Sequence, residues 1–120
     1  MQRQFRLRRS ADFENLRAHG QTWRHPFLMI AVTPNGLAHN RYGFVTSKRL
    51  GNAVVRNRVR RLLREIVRLS SASIVVGYDI SFIARNEIVD QPYDKVKEAL
   101  EGLFRRAKLW QSSDPVEKKD

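Results

Sequence analysis

The sequence predicts a single α+β domain organised around a strand–helix–strand unit. Three observations carry this. The 120 residues are 42% hydrophobic, enough for one modest core. Apolar runs of strand length alternate with stretches of helical periodicity. One of those helices is amphipathic and rich in arginine, and a strand lies on either side of it.

In chain order, Ser10 is placed to cap a short helix through Ala11–Ala18, with Gly20 as its stop. Phe13 and Leu16 share a face of it. Phe27–Thr33 reads as a strand closed by Pro34-Asn35-Gly36. Tyr42–Ser47 reads as the next strand, so these two are expected to pair as a hairpin. Asn52 is a cap for a long helix over residues 53–69. Residues 70–77 form a transition around Ile74-Val75-Val76. Tyr78–Arg85 is a strand in which Asp79 and Ser81 alternate with Ile80 and Phe82, the pattern of one exposed face. The last helix starts near Tyr93, with Val96, Ala99, Leu100, Leu103, Phe104 and Ala107 at helical spacing. Residues 1–110 form the domain, and 111–120 are polar and expected to be a disordered tail. Strands 42–47 and 78–85, joined by a helix, should be parallel neighbours, and the general rule makes that crossover right-handed.

Charge narrows the function. The formal net charge is +11, and it is unevenly placed. Residues 41–68 hold nine basic residues against one acidic, Glu65, and residues 1–25 hold six against two. Self-repulsion of that size calls for a polyanionic partner. With no cysteine, disulfides and thiolate metal sites are excluded. No apolar run is long enough to span a bilayer or serve as a signal sequence, so a cytoplasmic protein without a membrane role is expected.

On a helical wheel of residues 53–69, Val55, Val59, Leu62, Leu63, Ile66, Val67 and Leu69 form a core-facing arc. Asn57, Arg60, Arg61, Arg64 and Arg68 form the opposite arc, flanked by Arg56 and Arg58. The row Arg60-Arg64-Arg68 mildly destabilises the helix on its own. The helix N-terminus adds free N–H groups beside Lys48, Arg49 and Gly51. Arginine's planar fork suits phosphate oxygens, so its predominance over lysine favours a phosphate-bearing partner.

Nothing points to bond-breaking by the protein itself. His19, His25 and His39 lie in unlike segments without metal-ligand spacing. Asp90, Asp94, Glu98 and Glu101 are interspersed with Lys95 and Lys97, the pattern of a solvated helix face. Trp23 is expected to pack against the fold. No catalytic residue and no protein-held metal is expected. Composition alone leaves open a structural RNA-binding protein. A DNA-binding module is disfavoured because the helix offers few side chains for base edges.

The stretch from Lys48 to Arg61, Lys-Arg-Leu-Gly-Asn-Ala-Val-Val-Arg-Asn-Arg-Val-Arg-Arg, resembles the signature of the bacterial ribonuclease P protein subunit. Asp12-Phe13 before Gly20, the strand leading to Ser47-Lys48, Ile83-Ala84-Arg85 and Tyr93–Leu109 follow in the same order. The resemblance implies the small subunit of a ribonucleoprotein endoribonuclease that removes the 5′ leader of precursor tRNA. Magnesium ions held by the RNA subunit would do the chemistry. It implies a helix–strand–strand–strand–helix–strand–helix fold on a mixed sheet, with an extra strand near Thr22-Trp23 and a left-handed crossover. The free protein is expected to be monomeric. The resemblance assigns Lys48, Arg49, Asn52, Arg58, Arg61 and Arg68 to the catalytic RNA. The leader-side candidates are Phe13, Arg56, Asn57, Arg60, Arg64 and Arg85, with Arg17 beside them and Phe27 and Met29 as apolar floor; the sequence leaves open where the arginine face of the helix divides between the two RNAs. Two departures stand out. Arg17 occupies a position that is often aromatic, and Ile30 or Ala31 replaces a common tyrosine. Leader binding is therefore expected to lean on charge more than on stacking.

Overall fold

The computed structural model describes residues 2–111; the expected tail falls outside the described residues apart from Gln111. The order is α1 (Ser10–His19), β1 (Gln21–Arg24), β2 (Leu28–Pro34), β3 (Arg41–Val45), α2 (Ala53–Ser70), β4 (Tyr78–Ala84) and α3 (Tyr93–Arg106). Short 3-10 turns occur at Arg3–Phe5 and Lys48–Leu50, among others. The strand near Thr22-Trp23 is β1.

The four strands lie in the order β1-β2-β4-β3. Strand β4 is antiparallel to β2 and parallel to β3. The expected β2–β3 hairpin does not form, because β4 is inserted between the two. Five of its seven residues are buried, as suits a central strand covered on both faces. The parallel β3–β4 pair is as expected, but its hand is not the one the general rule gives. Tyr42 points its side chain toward α2, in the main core. Its carbonyl accepts the Leu7 N–H at 2.8 Å, on the side away from β4. Viewed from α2 with β3 running upward, an L-residue so placed directs its carbonyl to the right. Strand β4 is therefore on the left, and the crossover is left-handed. The right-hand position is taken by the N-terminal arm.

One sheet face packs Leu28, Ile30, Ile80 and Phe82 against α2 and α3, with Phe104 edge-on to Phe82 at 5.9 Å. Burial of this face is the main stabilising term of the fold. Trp23 packs against it as expected. Leu69 does not: it is 58% exposed, and Ser70 takes the buried position one step round the helix. Asn52 caps α2 through its side chain, which accepts the Val55 N–H at 3.1 Å. Ser10 does not cap α1, because it already lies within the first turn and its preceding residue, Arg9, occupies the cap position.

The other sheet face is read most simply as rows running across the strands. Thr33, Asp79 and Arg41 are neighbours in register. So are Thr22, Ala31, Ser81 and Gly43, and then Arg24, Met29, Ile83 and Val45. Asp79 and Ser81 were expected to face solvent, yet both are buried. Asp79 tolerates this because Arg41 grips it through Nε at 2.8 Å and a terminal nitrogen at 2.7 Å. Asn35 donates a third bond at 3.1 Å. Ser81 is there for its size: Ala31, Ser81 and Gly43 make a shallow trough, and α1 lies in it through Phe13 and Leu16.

Candidate nucleic-acid interface

Helix α1 is held close to the sheet by two glycines. A Cβ on Gly43 would lie 2.6 Å from two atoms of the Phe13 ring, so the ring rests directly on the β3 backbone. A Cβ on Gly20 would lie 2.5 Å from the Leu16 carbonyl oxygen. Leu7, Leu16 and Ala31 form a small second core here, with Phe13 and Ile83 at its edge. Asp12 reaches toward Arg41 at 3.5 Å. These contacts fix the helix over the first two rows and leave the third uncovered.

That third row is a shallow strip. Met29 and Ile83 are half-buried, while Val45 and Arg24 are exposed. At the usual strand spacing it is roughly 14 Å wide. Phe13 stands at its side, and exposed Arg17 follows one turn on along α1. Arg85 extends β4 by one more residue, donating its N–H to the Phe27 carbonyl at 2.9 Å, and alternation puts its side chain on the same face as Ile83. Phe27 does not join this group. It packs against the main core and meets His25 edge-on at 4.8 Å, in a cleft against α3. Of the two candidate tyrosine replacements, Ile30 is in the core and Ala31 is under α1.

The α2 arginines separate by direction. Arg56, Arg60 and Arg64 lie on the flank beside β3. Arg60 donates to the Thr46 hydroxyl and to Asn57 Oδ1, each at 2.6 Å. Arg64 lies over the Phe44 ring, 5.8 Å from its centroid. Arg56 Nε is buried with no hydrogen-bond partner among the described residues. Arg58 is on the opposite flank, 3.9 Å from Asp90, with both side chains largely in solvent; such a pair holds little energy. Arg61 and Arg68 lie on the outer face, where Arg68 makes two bonds to Glu65 at 3.0 and 2.8 Å. That pairing lowers the Glu65 pKa and raises that of Arg68.

Lys48 and Arg49 are exposed on the 3-10 turn that leads into α2. Ser47 braces that turn by accepting the Arg49 N–H at 3.3 Å. Gly51 follows with φ 141°, a conformation L-side chains rarely adopt, and starts the chain toward the Asn52 cap. The whole element therefore presents cations around the free N–H groups of a long helix.

Comparison with known proteins places this surface in a family. The Ribonuclease P family model matches residues 1–108. The chain belongs to the ribonuclease P protein family. The ribonuclease P protein component of Caldanaerobacter subterraneus subsp. tengcongensis is 36% identical over 109 residues, covering 91% of this chain and 94% of the relative. That of Roseiflexus sp. (strain RS-1) is 42% identical over 115 residues, covering 95% and 94%. The RNase P protein of Staphylococcus aureus superposes with a TM-score of 0.82 at 30% identity, covering 89% of this chain and 98% of that one. The RNase P protein from Thermotoga maritima gives 0.79 at 30% identity, covering 84% and 96%. The chain is thus the protein part of a ribonucleoprotein enzyme of tRNA 5′-end maturation. Among the described residues, no helix is long and apolar enough to cross a membrane, and no three His, Cys, Asp or Glu side chains cluster as a metal site.

The sequence did not single out Arg24, Val45, Ile83 or Gly43 as residues of the site. Alternation along β3 links Gly43 to Val45. The link to Arg24 and Ile83 needs the register of all four strands.

Proposed function

We propose that the two sides of this surface serve two RNAs. Arg58, Arg61 and Arg68, with Lys48, Arg49 and Asn52, bind the catalytic RNA. The single-stranded leader of precursor tRNA runs along the open row of Met29, Ile83 and Val45. It is bordered by Phe13, Arg17, Arg24 and Arg85, and reaches Arg56, Asn57, Arg60 and Arg64. The observation that carries this is the direction of the α2 side chains: Arg60 bonds Thr46, the residue after Val45, while Arg58 and Arg61 point elsewhere. Rings and cations along an open strip suit an unpaired strand of variable sequence. Phe27, on the α3 side, is left out of the leader path. The magnesium ions of the reaction are held by the RNA, and the protein supplies binding and not bond-breaking. It acts in the cytoplasm and is monomeric when free.

The test combines the protein with a bacterial ribonuclease P RNA and precursor tRNA at low magnesium. The protein should raise the rate of leader removal. R58A/R61A should weaken assembly with the RNA. F13A should leave assembly intact and reduce the preference for precursor over mature tRNA. The same defect from both variants would defeat the division.

A further inference from the structure

The N-terminal arm closes a second cleft, of about 760 Å³, between itself, the start of β3 and the outer face of α2. Its walls include Phe5, His39, Tyr42, Arg61, Arg64 and Arg68. It is separate from the open row, since Tyr42 and the α2 face lie on the opposite side of the sheet from Met29 and Val45. Phe5 is held in place before any ligand arrives. Its N–H donates to the Gln2 carbonyl at 3.0 Å, and Leu7 is pinned to Tyr42. Its ring stands edge-on to His39 at 5.3 Å. A preformed apolar cleft of this size, with polar groups on one side, is the usual form of a small-molecule or nucleotide site.

The charge on that polar side is unbalanced. Among the described residues Glu65 is the one carboxylate lining the cleft, and Arg68 engages both its oxygens. Among the described residues no carboxylate pairs with Arg61 or Arg64. Burial pushes the Arg64 guanidinium below the usual arginine range, and the like charges of Arg6, Arg60 and Arg61 push it further. An anion is what this cluster lacks. A ring-lined cleft beside unpaired guanidiniums fits the two halves of a nucleotide, the base and its phosphate.

We propose that this cleft receives one unpaired nucleotide of the catalytic RNA, its base against Phe5 and Tyr42 and its phosphate at Arg61. The assignment to the catalytic RNA rests on the proposed function, because the cleft opens beside Arg61 and Arg68 and not onto the leader strip.

The test uses the full chain, a bacterial ribonuclease P RNA and a precursor tRNA, probed with dimethyl sulfate. Wild type and Phe5→Trp should protect an unpaired adenine or cytosine of the catalytic RNA. Phe5→Ala should leave that base reactive, lower affinity for the RNA roughly tenfold and keep the hydroxyl-radical footprint of the backbone. His39→Ala should expose the same base. Phe5 lies outside both buried clusters, so its removal spares the fold. Identical base reactivity with wild type and F5A would overturn the proposal, as would a Phe5-dependent base located in the leader. A wild-type protein that left no footprint on the catalytic RNA would instead overturn the proposed function.

Discussion

Replacing Gly43 by alanine tests whether the position of Phe13 is set by the sheet beneath it. The new Cβ would come within 2.6 Å of Phe13 Cε1 and Cζ and 3.2 Å of Leu7 Cβ. Gly43 is not among the glycines with positive φ, so the substitution acts through space and not through backbone strain. Overpacking of this kind costs about 1–3 kcal/mol. Alanine recovers roughly 0.5–1 kcal/mol of chain entropy relative to glycine in a strand. The net loss should be roughly 1–2 kcal/mol by urea denaturation, with an unchanged m-value. Removing the ring first should abolish most of it. In the cycle of wild type, G43A, F13A and the double variant, the coupling should be about 1 kcal/mol or more. The displaced ring should also lower the preference of G43A for precursor over mature tRNA while sparing affinity for the catalytic RNA. An additive cycle would refute the platform, and so would a G43A protein with unchanged leader preference.

Three further outcomes are expected. Each phosphate contact removed by R58A or R61A should reduce the slope of log affinity for the catalytic RNA against log salt by about 0.7–0.9; a uniform loss of affinity with an unchanged slope would argue against phosphate contacts. Leader affinity should depend more steeply on salt than in relatives with an aromatic residue at the place of Arg17, and equal slopes in a side-by-side titration would remove that reading. Arg17→Tyr should flatten the dependence.

The legible parts of this chain are those fixed by local chemistry. The Asn52 cap, the amphipathic course of α2 and the periodicity of α3 each depend on residues within a few turns of one another. The misread parts depend on neighbours far along the chain. Ser81 looks like a solvent-facing polar residue until its register partners, Ala31 and Gly43, make it part of a trough for α1. Asp79 looks exposed until Arg41 and Asn35 are brought to it. Leu69 and Ser70 exchange roles only at the end of α2, where the buried series Val59, Leu63, Ile66, Val67 continues at helical spacing to Ser70. The β2–β3 hairpin was the local choice, and it lost to a central strand buried on both faces. The arginines were legible as a group, but their division was not. It is set by what each flank of α2 meets, Thr46 and Phe44 on one side and Asp90 on the other.

His25 shows the same dependence on context, and it yields a pH prediction. Its Nδ1 accepts the Phe27 N–H at 3.0 Å, and a protonated Nδ1 cannot accept. Burial lowers its pKa below the ordinary 6.5, and the charge of Arg106 adds to the effect. The unfolded chain therefore binds the proton more readily than the folded one. The stability due to neutral His25 is complete above pH 6.5 and is lost as the pH falls through its lower folded value. Asparagine at this position keeps an acceptor for Phe27 without the titration. The wild-type melting temperature should thus fall further between pH 7.5 and 5.5 than that of His25→Asn, and parallel falls would show that the His25–Phe27 bond does not govern this range.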